Sequence, residues 1–422
     1  MFFEHRHCRA CGYAKPTGPD GIKAQGHNER LLPAFSLGLQ PLANDFAKPG
    51  EERAGYAPLE VLLCPRCGLG QLSVVVRPDV LYSRYLYVTS PSETMRQHFF
   101  TIWGDMAIQR ATVPRTVLEI GSNDGLLLRF ALAHGAKDVL GVDPSANLGE
   151  VARKAGVPTF TTLFNQHTAG ILKDCSPVGN APELIIARHV LCHVDDWADF
   201  FAGLDMLAGP ETLIAIETPY AGGTLANTEF DQVYHEHLSF LTVRAVVAVL
   251  AGTGLELVKV TRYPIHGGAV MLSIRRKGVA AIDPSVGEFL AAETDWPGQW
   301  AAFSQRAHRL VGELKGQVRL WREAGKTVAG LGASAKSTVW VNAAGFTRND
   351  LAFIADSTPG KWYTTSPGSD IPITDEGAIL RELPDYVICF AWNYAVEIAA
   401  KNALARSKGV RLVFPVPRIE IV

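Results

Sequence analysis

Four groups of residues in this 422-residue chain have types and spacings that could do chemistry. The first is Cys8-Arg-Ala-Cys11 together with Cys64-Pro-Arg-Cys67, each pair followed at once by a glycine, Gly12 and Gly68. Each Cys-x-x-Cys closes a tight knuckle, and two knuckles supply four thiolates, the ligand set of a closed tetrahedral zinc site. The insert between them, residues 12–63, is longer than in compact zinc fingers, so the pairing rests on the twin knuckles and not on a standard spacing. Redox Cys-x-x-Cys pairs or four unrelated buried thiols are the competing readings, but no βαβ context surrounds either pair. With no open position the metal is structural, and His5 and His7 could compete as ligands but are read as surface residues. The second group is Glu119-Ile-Gly-Ser-Asn-Asp-Gly125, and Asp143 lies 18 residues past Gly125 (143 minus 125). The third and fourth are the histidine-bearing segments Ala187–His193 and Phe230–His237, the latter containing Tyr234-His-Glu-His237. Imidazole, phenol and carboxylate together are the groups of general acid–base work near neutrality.

The second group needs a strand, a turn and a helix to position it. Thr116–Ile120 is a short apolar run that reads as a buried strand, and Leu126–Leu132 has helical length. The glycines between them let backbone approach a ligand, and the helix start offers unpaired N–H groups. No Gly-Lys-Ser/Thr follows, which excludes a P-loop, and Gly121 and Gly125 are spaced wrongly for G-x-G-x-x-G. The form E-x-G-x-x-x-G resembles motif I of the class I S-adenosylmethionine (SAM) methyltransferases. Val139-Leu-Gly-Val-Asp143 then reads as the next strand, ending in an acid suited to ribose hydroxyls. The bland alternative is a structural βα turn followed by a surface Asp.

Strand-like segments continue at 138–142, 183–187, 212–217, 256–262 and 269–276, the last two forming a hairpin across a Gly-Gly turn, and a short strand is expected near Thr159. This predicts a doubly wound sheet, whose ligands sit beyond the strand carboxyl ends. The two histidine segments and Glu217-Thr-Pro-Tyr220 should converge there. Residues 278–325 read as helical, with Trp296, Trp300 and Trp321 on mixed faces. A second α/β unit follows: Thr327–Lys336 is a strand and small-residue loop that could cradle phosphate near Lys336, Leu351–Asp356 a strand ending in an acid, and 385–390 and 410–414 further strands. Before motif I, Tyr82, Tyr85 and Tyr87 crowd one stretch and could line a polar pocket or simply be core aromatics.

Composition bounds the rest. Hydrophobic content of 47%, 19% charged residues and a net charge of −2 describe an ordinary globular chain with no nucleic-acid or membrane partner as its main business. The start has no apolar signal region and no run approaches a membrane span, so a cytoplasmic protein is expected. Seven cysteines, four of them in two close pairs, do not make a disulfide framework.

Nearly the whole chain resembles the three-domain sugar C-methyltransferases, which act on nucleotide-linked keto-deoxy sugars. The resemblance is carried by the paired knuckles, Glu119–Gly125, His189-Val-Leu-Cys-His-Val194, Glu229–Phe240, His266-Gly-Gly268, Gly330–Lys336, Pro367–Ile373 and Ala391-Trp-Asn393, with the Tyr-His-Glu-His segment the most specific. It implies an α/β protein with a zinc-binding N-terminal domain (1–76), a central class I SAM methyltransferase Rossmann-like domain (77–277) and a C-terminal Rossmann-like α/β domain (278–422). It implies SAM held by Glu119, Gly121, Asn123, Gly125, Asp143 and His189, and zinc held by Cys8, Cys11, Cys64 and Cys67. Around the reacting sugar it implies His237, Tyr234, Glu236, His193 and a tyrosine of the 82–87 stretch, here Tyr87. The expected reaction is methylation of C-3 of a nucleotide-diphospho 4-keto-deoxysugar by a monomer. Two departures from the family pattern, Ala269 where a serine is usual and His189 where an asparagine is common, bear on sugar preference. The competing functions are an O- or N-methyltransferase of a small metabolite and a zinc-bearing protein that only senses SAM.

Overall fold

The computed structural model describes residues 1–14, 30–81, 93–265 and 267–422, so Tyr82, Tyr85, Tyr87 and His266 lie outside the described residues. Four sheets organise the described residues. Near the N-terminus, Leu32–Pro41, Tyr56–Leu63 and Gly70–Leu72 form an antiparallel sheet. Tyr56–Leu63 buries alternate residues, the period-2 pattern of a strand with one face on a core. The fourth strand of this sheet, Ser239–Phe240, comes from far along the chain and pairs with Gly70–Leu72. Phe2–Glu4 and Val74–Val76 make a separate two-stranded ribbon.

The central sheet has seven strands in the order Leu255–Tyr263, Ala269–Arg276, Leu213–Pro219, Leu184–Arg188, Thr116–Ile120, Asp138–Val142 and Thr159–Phe160. The first two form the expected antiparallel hairpin, and the others run parallel. The strand order reverses between Thr116–Ile120 and Leu184–Arg188, where a doubly wound sheet opens a crevice for ligand. The C-terminal sheet of six strands is parallel except for its last, Glu420–Ile421.

The helix Trp296–Glu323 ties these parts together. Asp295 caps it by accepting the Gly298 N–H, and Pro297 follows where a missing N–H costs nothing. Its buried residues are Trp296, Trp300, Phe303, Ala307, Leu310, Leu314, Val318 and Trp321, spaced three and four apart along one face. The mixed-face reading of the tryptophans is therefore corrected: all three fall on that stripe. Trp296 lies where a Cβ on Gly68 would go, and Trp300 does the same at Gly70, so the second cysteine knuckle and its following strand pack directly on this helix. One hydrophobic core joins the helix, the N-terminal sheet and the C-terminal sheet; another joins Cys8, Cys64, Cys67 and Leu69 to one face of the central sheet.

Candidate active site

The glycine loop forms as its sequence dictates. Gly121 and Gly125 have φ of 72° and 74°, and Asn123 has 52°, a left-handed conformation that asparagine tolerates better than most residues. A Cβ on Gly121 would stand 2.3 Å from Val190 Cγ2, so this glycine is required by protein packing as well as by its turn. Asp143, at the end of the next strand, is 6% exposed and accepts the Asn123 N–H at 2.9 Å and the Ser145 N–H at 2.8 Å, one on each oxygen. It thereby ties the motif loop to its own strand end and keeps further lone pairs.

Glu119 is 3% exposed, and its Oε2 has no hydrogen-bond partner among the described residues. Burial pushes its carboxyl up to about 8, Arg188 opposes this, and the carboxylates of Asp124 and Asp143 add to it. It is not a cap for the turn. A buried, unpartnered acid beside the glycine loop fits a ligand that brings an ammonium group, as SAM does. His189 has φ of 53° and its N–H donates to Glu217 O at 2.7 Å. Desolvation holds its ring down to about 4, against the pull of Glu217, whose Oε2 is 3.9 Å from His189 Nε2. Glu217 is fully buried and takes His98 and Arg188, the latter at 2.6 Å; Arg188 and His98 hold it ionised against the cost of burial.

The third and fourth groups do meet. His193 and His237 stack edge to face with ring centroids 5.1 Å apart. His193 Nδ1 bonds Glu236 O at 2.6 Å, and His237 Nδ1 bonds Gln232 O at 2.8 Å. A carbonyl can only accept, so Nδ1 of His237 carries the proton and Nε2 is the basic atom. That Nε2 lies 2.7 Å from the Tyr234 hydroxyl, which donates to it. Burial keeps His237 well below its usual range, with His193 adding to the effect, and brings His193 down to about 4, so both rings are neutral near pH 7. Glu236 is 3% exposed, and burial raises it to about 7, moderated by Asn44 Nδ2, which donates to its Oε1 at 2.6 Å.

Two residues here were not singled out from sequence. Asn44 belongs to the N-terminal segment, and nothing in Pro41-Leu-Ala-Asn44 signals a partner 192 residues away. Asp231 was quoted within its loop but given no role. It is fully buried and accepts both Trp392 Nε1 at 2.7 Å and Trp340 Nε1 at 3.1 Å, so the C-terminal domain grips the loop. Lys336, expected near phosphate, has its Nζ buried 4.2 Å over the Trp392 ring, and its charge acts on Glu229 and Asp231. A cleft of about 630 Å³ opens between the hairpin and the C-terminal domain, lined by Tyr220, Arg262, Gly268, Ala269, Trp392 and Asn393 among others.

The four knuckle sulfurs lie within 4.8 Å of one another, with Cys8 and Cys67 3.5 Å apart and Cys11 and Cys64 3.6 Å apart. A tetrahedral zinc at the usual Zn–S length separates its sulfurs by about 3.8 Å, so the donor set and its spacing fit zinc. Cys175, Cys192 and Cys389 are free. No helix among the described residues is long and apolar enough to cross a membrane.

Comparison with known proteins agrees with this layout. Residues 26–82, 96–260 and 264–417 match, in that order, family models for a zinc binding domain, a methyltransferase domain and a C-methyltransferase C-terminal domain. The C-methyltransferase NovU of Streptomyces niveus is 31% identical over 415 residues, covering 96% of this chain and 97% of its own. Among solved structures, the magnesium protoporphyrin IX methyltransferase of Synechocystis covers 46% of this chain and 93% of its own at 15% identity and a TM-score of 0.34. A plantazolicin methyltransferase covers 43% of this chain and 84% of its own at 13% identity and a TM-score of 0.35. With a relative matched from end to end and three family models in register with its sheets, the chain belongs to the SAM-dependent C-methyltransferases that carry a zinc-binding domain ahead of the catalytic one.

Proposed function

We propose that this enzyme methylates C-3 of a nucleotide-diphospho 4-keto-deoxysugar. The observation that carries the reading is the Tyr234–His237 pair, a neutral imidazole whose basic nitrogen accepts from a phenol 2.7 Å away. A carbon acceptor is not nucleophilic until a proton leaves it, and a neighbouring ketone makes that proton acidic. A site for carbon methylation therefore needs a base and hydrogen-bond donors for the oxygen that gains charge. An O- or N-methyltransferase needs no such donors, and a SAM sensor needs no base. The sugar nucleotide itself rests on the motifs of Glu229–Phe240, His266–Gly268 and Ala391–Asn393, supported by a cleft large enough for such a ligand.

In this reading His237 Nε2 removes the C-3 proton, and Tyr234 turns its hydroxyl from that nitrogen to the C-4 oxygen. His193, whose Nδ1–H is held by Glu236 O, keeps Nε2 unprotonated and borders the same oxygen without donating to it, and Tyr87 assists as the second donor. Glu236 orients the loop through Asn44. Bound SAM supplies the electrophilic methyl group. Glu119 pairs with its ammonium, Asp143 takes the ribose hydroxyls, Gly121, Asn123 and Gly125 shape the loop, and His189 borders the site. His237 then releases its proton to water. Cys8, Cys11, Cys64 and Cys67 hold zinc with no role in the chemistry.

The test uses 4-keto-deoxysugar nucleotides deuterated at C-3, in ordinary water. Wild-type enzyme should exchange the deuterium and give a product one methyl heavier. His237→Gln should abolish exchange, and Tyr234→Phe should slow it about 100-fold, as loss of one oxyanion donor does. If both variants exchange at the wild-type rate, the pair is not the acid–base centre. If no 4-keto sugar nucleotide gains a methyl group, the substrate assignment is wrong.

A further inference from the structure

We propose that Arg9, inside the first cysteine knuckle, is a positioning residue for His193 and His237, so that the zinc-binding fold sets the geometry of a reaction it does not touch. This rests on the reading of those histidines as active-site groups.

The two knuckles of this chain treat their inner residues differently. Pro65 and Arg66, inside the second, are exposed, whereas the side chain of Arg9 is fully buried. A knuckle does not need a buried arginine to bind metal, and a guanidinium is seldom taken out of water unless its donors are used. Nε and Nη1 of Arg9 reach residues just past each histidine segment, while Nη2 is buried without a partner among the described residues. Nε donates to Asp195 Oδ1 at 2.9 Å, two residues past His193. Nη1 donates to Leu238 O at 3.3 Å, the residue that follows His237, and to Leu72 O at 3.2 Å. Leu238 O also accepts the Leu72 N–H at 3.0 Å, and the next residues, Ser239 and Phe240, pair with the strand behind the second knuckle.

The Arg9 backbone is itself held. Its N–H donates to Gln71 Oε1 at 3.0 Å, and Gln71 Nε2 donates to His7 O at 2.8 Å. His5 Nδ1 sits 3.1 Å from the same Asp195 oxygen. Flanked by Cys8 and fixed at both backbone and fork, the guanidinium joins three segments that are far apart in sequence. A planar fork suits this, because several directed N–H groups leave one rigid group. The histidines depend on those segments for orientation: the Nδ1 partner of His193 is Glu236 O, and that of His237 is Gln232 O.

The experiment compares Arg9→Met, Arg9→Lys and Asp195→Ala with wild type in the full zinc-loaded chain. Zinc content, SAM affinity and the ring signals of His193 and His237 are read, the last by histidine NMR assigned with His193→Gln and His237→Gln. Arg9→Met should move both ring signals with zinc content and SAM affinity unchanged. It should also cut methylation of a 4-keto sugar nucleotide about 100-fold, the usual scale for small misplacement of reacting groups. Arg9→Lys, which keeps charge but not the fork, should fall between. Asp195→Ala leaves the knuckle intact and should still move the His237 signal. Unmoved histidine signals in Arg9→Met with zinc retained would overturn the proposal. If Arg9→Met loses zinc or fails to fold, Asp195→Ala decides, and an unmoved His237 signal there overturns it. Intact methyl transfer in His237→Gln would sink the catalytic reading alone, because the NMR coupling is read without turnover.

Discussion

At the residue scale, Asp143 carries two loads at once. Its carboxylate organises the motif loop through the Asn123 and Ser145 N–H groups and, in the function proposed above, also takes the ribose hydroxyls. Charge-assisted hydrogen bonds contribute roughly 1.5–3 kcal/mol each, so Asp143→Ala should weaken SAM binding about 100-fold or more. Titration calorimetry with SAM and with a sugar nucleotide checks this, and equal loss of both ligands would count against the assignment. Glu119 poses the opposite case, a buried acid whose Oε2 has no partner among the described residues. Such a group is tolerated in a native fold when a ligand satisfies it or when it stays protonated.

At the scale of elements, the segment from Glu229 to Leu238 is held from three directions. Trp340 and Trp392 of the C-terminal domain bond Asp231, Asn44 of the N-terminal segment bonds Glu236, and Arg9 bonds Leu238 O. Asp231→Ala would leave two buried indole N–H groups without an acceptor. A loss of roughly 3 kcal/mol is expected from two such groups, read as a lower midpoint in urea denaturation. Asp231→Asn keeps an acceptor and should retain more than half of that stability. The cysteine knuckles share a core with the central sheet, so zinc removal should not be a local event. Elemental analysis should give one zinc per chain. Chelation should release the contacts of Trp296 and Trp300 with Gly68 and Gly70, seen as a change in tryptophan fluorescence. We propose domain boundaries at residues 76 and 277; Ser239–Phe240 crosses the first by completing the N-terminal sheet.

For the whole molecule, buried titratable groups set how stability depends on pH. Burial raises Glu119 to about 8 and Glu229 and Glu236 to about 7; Asp231 moves the same way. In the unfolded chain these acids ionise near their ordinary values, so the stability they retain at low pH is lost as pH rises through the folded values. His189, His193 and His235 are held down to about 4 by burial, and His237 is also lowered. Their contribution is present above about pH 6.5 and is lost as pH falls toward the folded values. The two sets oppose one another at mildly acidic pH. Between about pH 6.5 and 8 the acids act alone, and the ligand-free protein should lose stability across that window. Thermal denaturation at the two ends measures it. Glu119→Gln should flatten the slope and, if Glu119 pairs with the SAM ammonium, remove part of the stabilisation that SAM gives at pH 8. A variant that flattens the slope but binds SAM as tightly as wild type would show that Glu119 does not meet the ammonium.

Local sequence alone determined much of this protein. The central strands, the glycine loop and the hairpin follow from short apolar runs punctuated by glycines, because strand burial and left-handed turns are set by a few neighbouring residues. The twin knuckles were legible for the same reason: two residues between cysteines fix the distance between their sulfurs. Tyr234 and His237 are close in the chain, so their pairing was also within reach of sequence. Only the tertiary structure decided which distant residues attend them. Asn44, Trp340, Trp392 and Arg9 meet the loop because the helix Trp296–Glu323 and strand Ser239–Phe240 bring the outer domains onto the central sheet. It also decided the charge states: burial keeps His237 neutral and leaves Glu119 Oε2 without a partner among the described residues, and burial is a property of the packed molecule that no short stretch contains.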